Sequence, residues 1–303
     1  MLGFINLNKP AGLTSHDCVA KIRRLLKLKK VGHGGTLDPA ATGVLPIAVG
    51  GATRLLSYLP EQKAYRARVR FGVKTNTDDL EGEIIADKTA TRLQLKEILP
   101  LIEDFKGKIC QIPPQYSAIQ REGKRLYELA RAGEKVEVPS RIVEINQIEI
   151  LKFEAGEYPE LELSITCGPG TYIRAIARDL GDILGVGGTL ASLTRTLSCG
   201  FELSESLTFQ ELQSQLETAE FALISPDSAL KYLSAITLNA SESKRWSHGQ
   251  RLNLREHTEI ISPQDSQAIR VKDPEGIFLG LGQIISTEAG GLVLLPKIVL
   301  RPL

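Results

Sequence analysis

The sequence predicts an α+β protein, because alternating strand patterns and amphipathic helical patterns occur along the chain without a series of parallel βαβ units. In residues 65–71, apolar side chains alternate with three arginines, as expected for a strand with one buried and one basic face. Residues 142–153 and 161–166 alternate in a similar way. Helical spacing of apolar residues instead predicts helices over residues 93–105 and 172–184.

The N-terminal elements lead into a loop that is dense in glycine. Residues 3–8 predict a short strand, and a helix follows in which Thr14 or Ser15 caps the N-terminus and most basic side chains point outward. The loop of residues 31–43 comes next, and the apolar run 44–49 follows it. So many backbone-permissive residues allow a substrate to approach the main chain closely.

Two further helices are predicted before the C-terminal part of the chain. Residues 123–133 predict a short amphipathic helix, and residues 209–216 predict another helix. From about residue 236, short strand patterns and glycine-containing turns dominate, as in a small β-rich module. We therefore predict two domains, residues 1–235 and residues 236–303.

Composition excludes several classes of protein. A chain of 303 residues with 42% hydrophobic and 24% charged residues is typical of a folded globular protein. No apolar run is long enough to cross a membrane as a helix, and the N-terminus lacks a signal-peptide pattern, so we expect a cytoplasmic protein without membrane association. The four cysteines form no C-x-x-C pair, so neither a disulfide framework nor a zinc site is expected.

Charge is distributed unevenly along the chain. Residues 1–75 hold 13 Lys or Arg against three acidic residues, a net charge of +10, whereas the whole chain carries +1. A basic block of this size suits a polyanion, because each phosphate that is neutralised releases condensed counterions. The alternative is a basic face that is only solvated.

Asp38 is the first candidate for chemistry. It lies in the glycine-rich loop before Pro39, where its carboxylate could reach a substrate close to the main chain. One alternative is an Asx-turn residue, since Asp before Pro is a common turn element. Another is an aspartyl-phosphate enzyme, although no acidic cluster nearby would hold magnesium. The loop matches neither glycine-rich phosphate-binding motif, so no nucleotide cofactor is expected.

Three other residues could take part in the same site. His33 could stack on nucleic acid, act as an acid or base, or simply bond to the backbone. Tyr172 and Arg174 lie two residues apart at a strand-to-helix turn, from which side chains reach a cleft readily. Arg174 could pair with a carboxylate or be a surface cation, and Tyr172 could instead pack in the core.

Five stretches of the chain, in the same order, resemble the TruB family of tRNA pseudouridine synthases, and the match runs through most of the chain. They are GFINLNKPAGLTSHD (3–17), GHGGTLDPAATGVLP (32–46), TNTDDLEG (75–82), PPQYSA (113–118) and GTYIR (170–174). The resemblance implies the pseudouridine synthase fold, with a mixed, largely antiparallel sheet and flanking helices. It also implies a small C-terminal RNA-binding domain that is similar to PUA modules.

The resemblance further implies an enzyme that isomerises uridine 55 of the tRNA T loop to pseudouridine, with neither cofactor nor metal. Asp38 falls on the catalytic aspartate of the family, Tyr65 on a tyrosine that lies against the target base, and Arg174 on an arginine that pairs with the aspartate and favours its ionised form. The positions expected to contact the substrate are His33, Lys9, Tyr172, Leu193, Gly35 and Thr36.

Two rival functions are compatible with parts of this pattern. A non-catalytic RNA chaperone that opens the tRNA elbow would use the same basic block and the same C-terminal module. A metal-dependent hydrolase would lose activity to a chelator, whereas the synthase would not. Because no stretch resembles a dimer interface, we expect a monomer.

Overall fold

The computed structural model describes residues 1–117, 120–121, 124–125, 138–254, 268–287 and 291–300. The strands are β1 Gly3–Lys9, β2 Val31–His33, β3 Thr42–Val49, β4 Lys63–Phe71, β5 Val73–Thr75, β6 Ile84–Asp87, β7 Gly107–Gln111, β8 Gln120–Arg121, β9 Lys124–Arg125, β10 Arg141–Glu154, β11 Glu160–Cys167, β12 Gly188–Ser198, β13 Phe201–Glu202, β14 Ala235–Thr237, β15 Leu252–Asn253, β16 Ala268–Lys272, β17 Phe278–Ser286 and β18 Leu292–Val299.

The helices lie between and outside these strands. The α-helices are α1 Ser15–Leu26, α2 Leu95–Asp104, α3 Ile173–Ile183, α4 Phe209–Glu217, α5 Pro226–Ala229 and α6 Ala240–Ser247, and two 3-10 helices span Gly50–Tyr58 and Leu203–Glu205. The helices predicted over residues 93–105, 172–184 and 209–216 are confirmed as α2, α3 and α4. Of the helix predicted over residues 123–133, the structure describes only Lys124–Arg125, which form the strand β9, so the prediction is wrong there, and the other residues of the range lie outside the described ones.

A nine-stranded sheet forms the larger part of the protein. Its strands follow the order β1-β3-β12-β4-β11-β10-β7, with β2 beside β3 and β13 beside β12. Among its described pairings, only the short contact of β3 with β12 is parallel. The expected mixed, largely antiparallel sheet with flanking helices is therefore confirmed.

Strand β4 shows why the alternating pattern forms this sheet. Tyr65, Ala67, Val69 and Phe71 are buried and pack beneath α2 and α3 in one apolar cluster. The arginines between them point to the other face and pair with glutamates of β11. Burying the apolar face removes it from water, while the cross-strand ion pairs stabilise the outer face.

Helix α1 begins where the sequence predicts it to begin. The Thr14 hydroxyl accepts a hydrogen bond from the Asp17 backbone N–H at 3.0 Å, and the Asp17 carboxylate accepts one from the Thr14 backbone N–H at 3.0 Å. This reciprocal capping satisfies two amides that the first helical turn leaves unpaired. Its apolar stripe, with Val19 and Ile22, packs on β1 and β3.

The C-terminal region contains a five-stranded sheet in the order β14-β16-β17-β18-β15, so the predicted β-rich region is confirmed. Helix α6 was not predicted, and its Trp246 is fully buried in the core of that sheet. A second buried cluster joins the two sheets, since it contains Phe4 of β1 together with Leu281 and Ile298. The boundary at residue 235 stays a prediction.

No helix in the described ranges is long and apolar enough to cross a membrane.

Candidate active site

The Asp38 loop joins β2 to β3, and its shape depends on glycine at one close approach. Gly43 has a φ of +98°, which favours glycine, and a Cβ there would lie 2.2 Å from the carbonyl oxygen of Arg195. Any larger residue would push β3 away from β12 at the point where the two strands make their parallel contact. The loop therefore returns close against the sheet directly after Asp38.

Lys9 holds the Asp38 loop in place through hydrogen bonds to main-chain carbonyl oxygens. Its side chain is fully buried, and Nζ donates to the carbonyl oxygens of Pro10, Pro39 and Ala41 at 2.9, 3.0 and 2.6 Å. Burial lowers the pKa of the Lys9 ammonium group, and the Asp38 charge opposes that effect. All three donors are used within the protein, so in this structure Lys9 holds the loop, and its predicted contact with substrate stays a prediction.

We expect Lys9→Met to destabilise the fold by about 2–4 kcal/mol, because three carbonyl oxygens lose a charged donor. Any activity that uses Asp38 should fall as well, since the backbone on both sides of Asp38 loosens. The midpoint of urea unfolding measures the stability change. Lys96→Met, at an exposed position on α2, is the control and should stay within about 0.5 kcal/mol of the wild type. Equal midpoints for the two variants would contradict the anchoring role.

Arg195 holds the loop from the side of β12. Its side chain is fully buried, and the guanidinium donates to the carbonyl oxygens of Val44 at 2.8 Å, Gly35 at 3.0 Å and Thr36 at 3.3 Å. One arginine thus fixes the loop both before and after Asp38. Gly35 and Thr36 remain exposed, so a substrate can reach their main chain.

Asp38 pairs with a buried arginine. Its Oδ2 lies 3.1 Å from Nε of Arg174, and the two side chains are 42% and 6% exposed, respectively. The Arg174 guanidinium also donates to the carbonyl oxygens of Thr77 and Tyr116 at 2.9 and 3.0 Å, and lies 3.5 Å from Oδ2 of Asp79. The arginine is therefore fixed by the protein, while the Asp38 carboxylate stays open to solvent.

A second arginine supports this arrangement one helical turn further along α3. Arg178 donates to Oδ2 of Asp78 at 2.9 Å and to the carbonyl oxygen of Ile112 at 2.8 Å. Burial raises the pKa of the Asp78 carboxyl, and the Arg178 and Arg174 charges oppose that effect. The two arginines together tie the turn around residues 77–79 to the segment that follows β7.

Tyr65 is a buried residue of β4 that contacts Arg195. It is 7% exposed, and its backbone is opposite Arg195 in the β4–β12 register. Burial raises the pKa of the Tyr65 hydroxyl to about 12, although the charge of Arg195 and a hydrogen bond to it act in the opposite direction. The phenol is therefore protonated at neutral pH.

The remaining predicted residues each have contacts of their own in the structure. Leu193 packs against the apolar cluster that contains Tyr65. Tyr172 caps α3, and the Gln111 side chain binds both its N–H and its carbonyl oxygen. His33 is half-buried at the end of β2, and its Nδ1 has no hydrogen-bond partner within the described chain. Burial lowers the pKa of the His33 imidazole.

No group of His, Cys, Asp or Glu side chains in the described ranges could hold a metal ion.

Comparison with known proteins decides the family. A sequence profile described as "TruB family pseudouridylate synthase (N terminal domain)" matches residues 23–173, and one described as "Pseudouridine synthase II TruB, C-terminal" matches residues 234–299. The "tRNA pseudouridine synthase B" of Gloeothece citriformis is 60% identical over 99% of this chain and 97% of the relative. The chain belongs to the TruB family of pseudouridylate synthases. The protein of the same name from Trichormus variabilis is 55% identical over the full length of both chains.

Solved structures support the TruB assignment at the level of the fold. A chain of a Cbf5-Nop10-Gar1 complex has a TM-score of 0.74 and 26% identity, with 99% of this chain and 85% of that chain covered. A chain of an H/ACA RNP bound to a substrate RNA containing 2'-deoxyuridine has a TM-score of 0.72 and 25% identity, with the same coverage. The chain is thus a pseudouridine synthase with the pseudouridine synthase fold.

Three residues of the site were not predicted from the sequence. Asp79 lies in the TNTDDLEG stretch that resembles the TruB family, so the signal was present but was not read as a contact of Arg174. Arg195 follows Leu193 by two residues, and strand alternation places it on the same face. Gln111 gives no local signal, because its role depends on a contact with Tyr172 across 61 positions of sequence.

Proposed function

We propose that this enzyme isomerises uridine 55 in the T loop of tRNA. The observation that carries the proposal is the ion pair of Asp38 with Arg174 at 3.1 Å, in which the carboxylate stays exposed and the guanidinium is buried. The names of the relatives supply the substrate class, since both cyanobacterial proteins are called tRNA pseudouridine synthases.

The reaction exchanges one bond of the uracil for another. The bond from N1 to the sugar C1' breaks, the uracil turns within the site, and its C5 forms a new bond to C1'. The proton on C5 is lost and N1 gains one, so substrate and product have the same composition. An ionised Asp38 either attacks C1' or removes a proton from the sugar, and both routes use the same open carboxylate.

The pocket has to receive a base that has left the helical stack. Unstacking costs a few kcal/mol, and contacts from the protein offset that cost. In the proposal His33 enters the loop of the RNA, Tyr65 lies against the uracil, and Leu193 and Tyr172 line the pocket. The exposed main chain at Gly35 and Thr36 would contact the displaced nucleotides.

Tyr65→Phe is expected to lower the single-turnover rate by about 100-fold, because the hydroxyl is lost while the aromatic face remains. Since the pKa of this hydroxyl is about 12, the phenol stays protonated between pH 6 and 9, and a role that needs only the protonated hydroxyl gives a wild-type rate that does not change with pH in this range. A wild-type rate that rose tenfold per pH unit over that range would indicate a required tyrosinate. Unchanged turnover in Tyr65→Phe would leave Tyr65 with a stacking role alone.

The rival proposal is an RNA chaperone without catalysis. Both readings predict binding of unmodified tRNA, so the decisive test is pseudouridine formation at uridine 55, measured in EDTA. Product from the wild type in EDTA would exclude both the chaperone alone and a metal-dependent hydrolase. Binding without product would favour the chaperone.

We also propose that the enzyme is a cytoplasmic monomer and that residues 236–303 form a PUA-like domain that contacts the RNA. A stable dimer in sedimentation at micromolar concentration would contradict the monomer.

A further inference from the structure

Of the 13 cationic side chains in residues 1–75, seven lie outside the run from Lys21 to Lys30, and six of those seven are engaged by the protein. Lys9 is buried on three carbonyl oxygens, and Arg54 donates to the carbonyl oxygen of Val299 at 2.8 Å. The other four are in ion pairs. These pairs are Arg66–Glu162, Arg68–Glu160, Arg70–Glu160 and Lys74–Asp182.

The basic face of β4 is therefore not a free surface for phosphate. Arg68 and Arg70 share Glu160 at 3.0 and 2.7 Å, and Glu154 adds a further carboxylate 3.6 Å from Arg68. A phosphate would have to displace or face these carboxylates. The positive charge available to RNA must lie elsewhere in the basic block.

Six of the remaining seven cations fall within ten residues, Lys21 to Lys30. Lys21 lies over the Phe209 ring at 4.2 Å, and the other five side chains are exposed. We call these five the α1 surface: Arg23, Arg24, Lys27, Lys29 and Lys30. Arg23 gives one N–H to the carbonyl oxygen of Val31, and no acidic side chain within the described residues pairs with any of the five.

Helix α1 and the residues after it connect to the Asp38 loop at two points. At the start of α1, the Ser15 hydroxyl accepts from the Leu37 N–H at 2.9 Å and lies 3.1 Å from the Leu37 carbonyl oxygen. After α1, residues 29–30 lead directly into β2, which ends at His33. The cations of the α1 surface therefore lie at the C-terminal end of a helix whose N-terminus contacts the Asp38 loop, and directly before the strand that leads into that loop.

We propose that the α1 surface binds the phosphates of the RNA strand that leads into the loop carrying the target uridine. The proposal rests on the proposed function, because it assumes the same RNA. The five cations fall within eight residues, 23–30, at the C-terminal end of α1 and in the turn that follows it. Contact with the backbone alone would position the stem without reading its sequence.

The test compares two variants that each remove one Arg and three Lys charges. The α1 variant is Arg24→Gln, Lys27→Gln, Lys29→Gln and Lys30→Gln. The matched control is Lys88→Gln, Arg92→Gln, Lys96→Gln and Lys108→Gln, at exposed positions with no ion pair in the described chain. The Kd for unmodified tRNA is measured for both and for the wild type between 50 and 300 mM KCl.

The slope of log Kd against log salt concentration should decrease by about 0.7–0.9 for each phosphate contact removed. For the four charges of the α1 variant, the expected decrease is roughly 3. The control should keep the wild-type slope within about 0.5. In turnover assays the loss in the α1 variant should fall on KM. Equal slopes for the α1 variant and the wild type, or an equal loss in the control, would overturn the α1 surface. Absence of pseudouridine from the wild type would instead refute the proposed function, and the binding slopes would still report on this surface.

Discussion

Replacement of Asp38 by asparagine is expected to lower pseudouridine formation by on the order of 10⁴-fold or more, because the side chain keeps its shape but loses the charge that the reaction uses. The carboxylate is the exposed member of its ion pair, so RNA binding should stay within about threefold of the wild type. Single-turnover assays with excess enzyme separate the chemical step from binding.

Asp179→Asn is the matched control for Asp38→Asn. Asp179 also pairs with an arginine of α3, at 2.8 Å from Arg178, but that pair does not include Asp38. This variant should retain most of the wild-type rate. If Asp38→Asn formed product within tenfold of the wild-type rate, Asp38 would not be the essential carboxylate.

Arg174→Lys is expected to lower the rate of the chemical step by about 10²–10³-fold, even though the charge is kept. The guanidinium contacts Asp38, Asp79 and the carbonyl oxygens of Thr77 and Tyr116, and a single ammonium group cannot reach all four in that geometry. The Asp38 carboxylate would then lose its fixed orientation. Rate constants measured at saturating RNA test this expectation.

Arg178→Lys makes the same chemical change one helical turn away, where the side chain has ion pairs but no contact with Asp38. We expect a loss of less than about tenfold, since the effect must pass through the neighbouring turn. Equal losses in the two variants would mean that the packing of α3, and not the direct contact of Arg174 with Asp38, controls the rate.

The sequence predicted the local elements well, because their signals are local. The Thr14 and Asp17 cap, the alternation along β4 and the apolar stripes of the helices each depend on residues a few positions apart. The central strand β12 was missed, since its threonines, serines and leucines do not form a clean alternation. Its place in the sheet is set by partners more than 100 positions away.

The candidate site also contains residues that could be predicted from the sequence and residues that could not. Asp38 and Arg174 could be named because they fall in stretches that resemble the TruB family, and Tyr65 because the resemblance places it on a tyrosine of the family. The structure brings Asp38 and Arg174 into contact. The role of Arg195 could not be predicted from the sequence. An arginine is usually exposed, and only the folded chain shows that this one is buried against the carbonyl oxygens of a loop about 160 residues away.

The buried cluster that joins the two sheets also constrains the order of folding. Phe4 lies in the first strand of the chain and shares this cluster with Ile298 of the last one. During synthesis β1 therefore cannot complete its packing until β18 has left the ribosome, which takes roughly 15–60 s at 5–20 residues per second. For that time one face of β1 and β3 is without its final cover, and chaperones can bind the apolar side chains there.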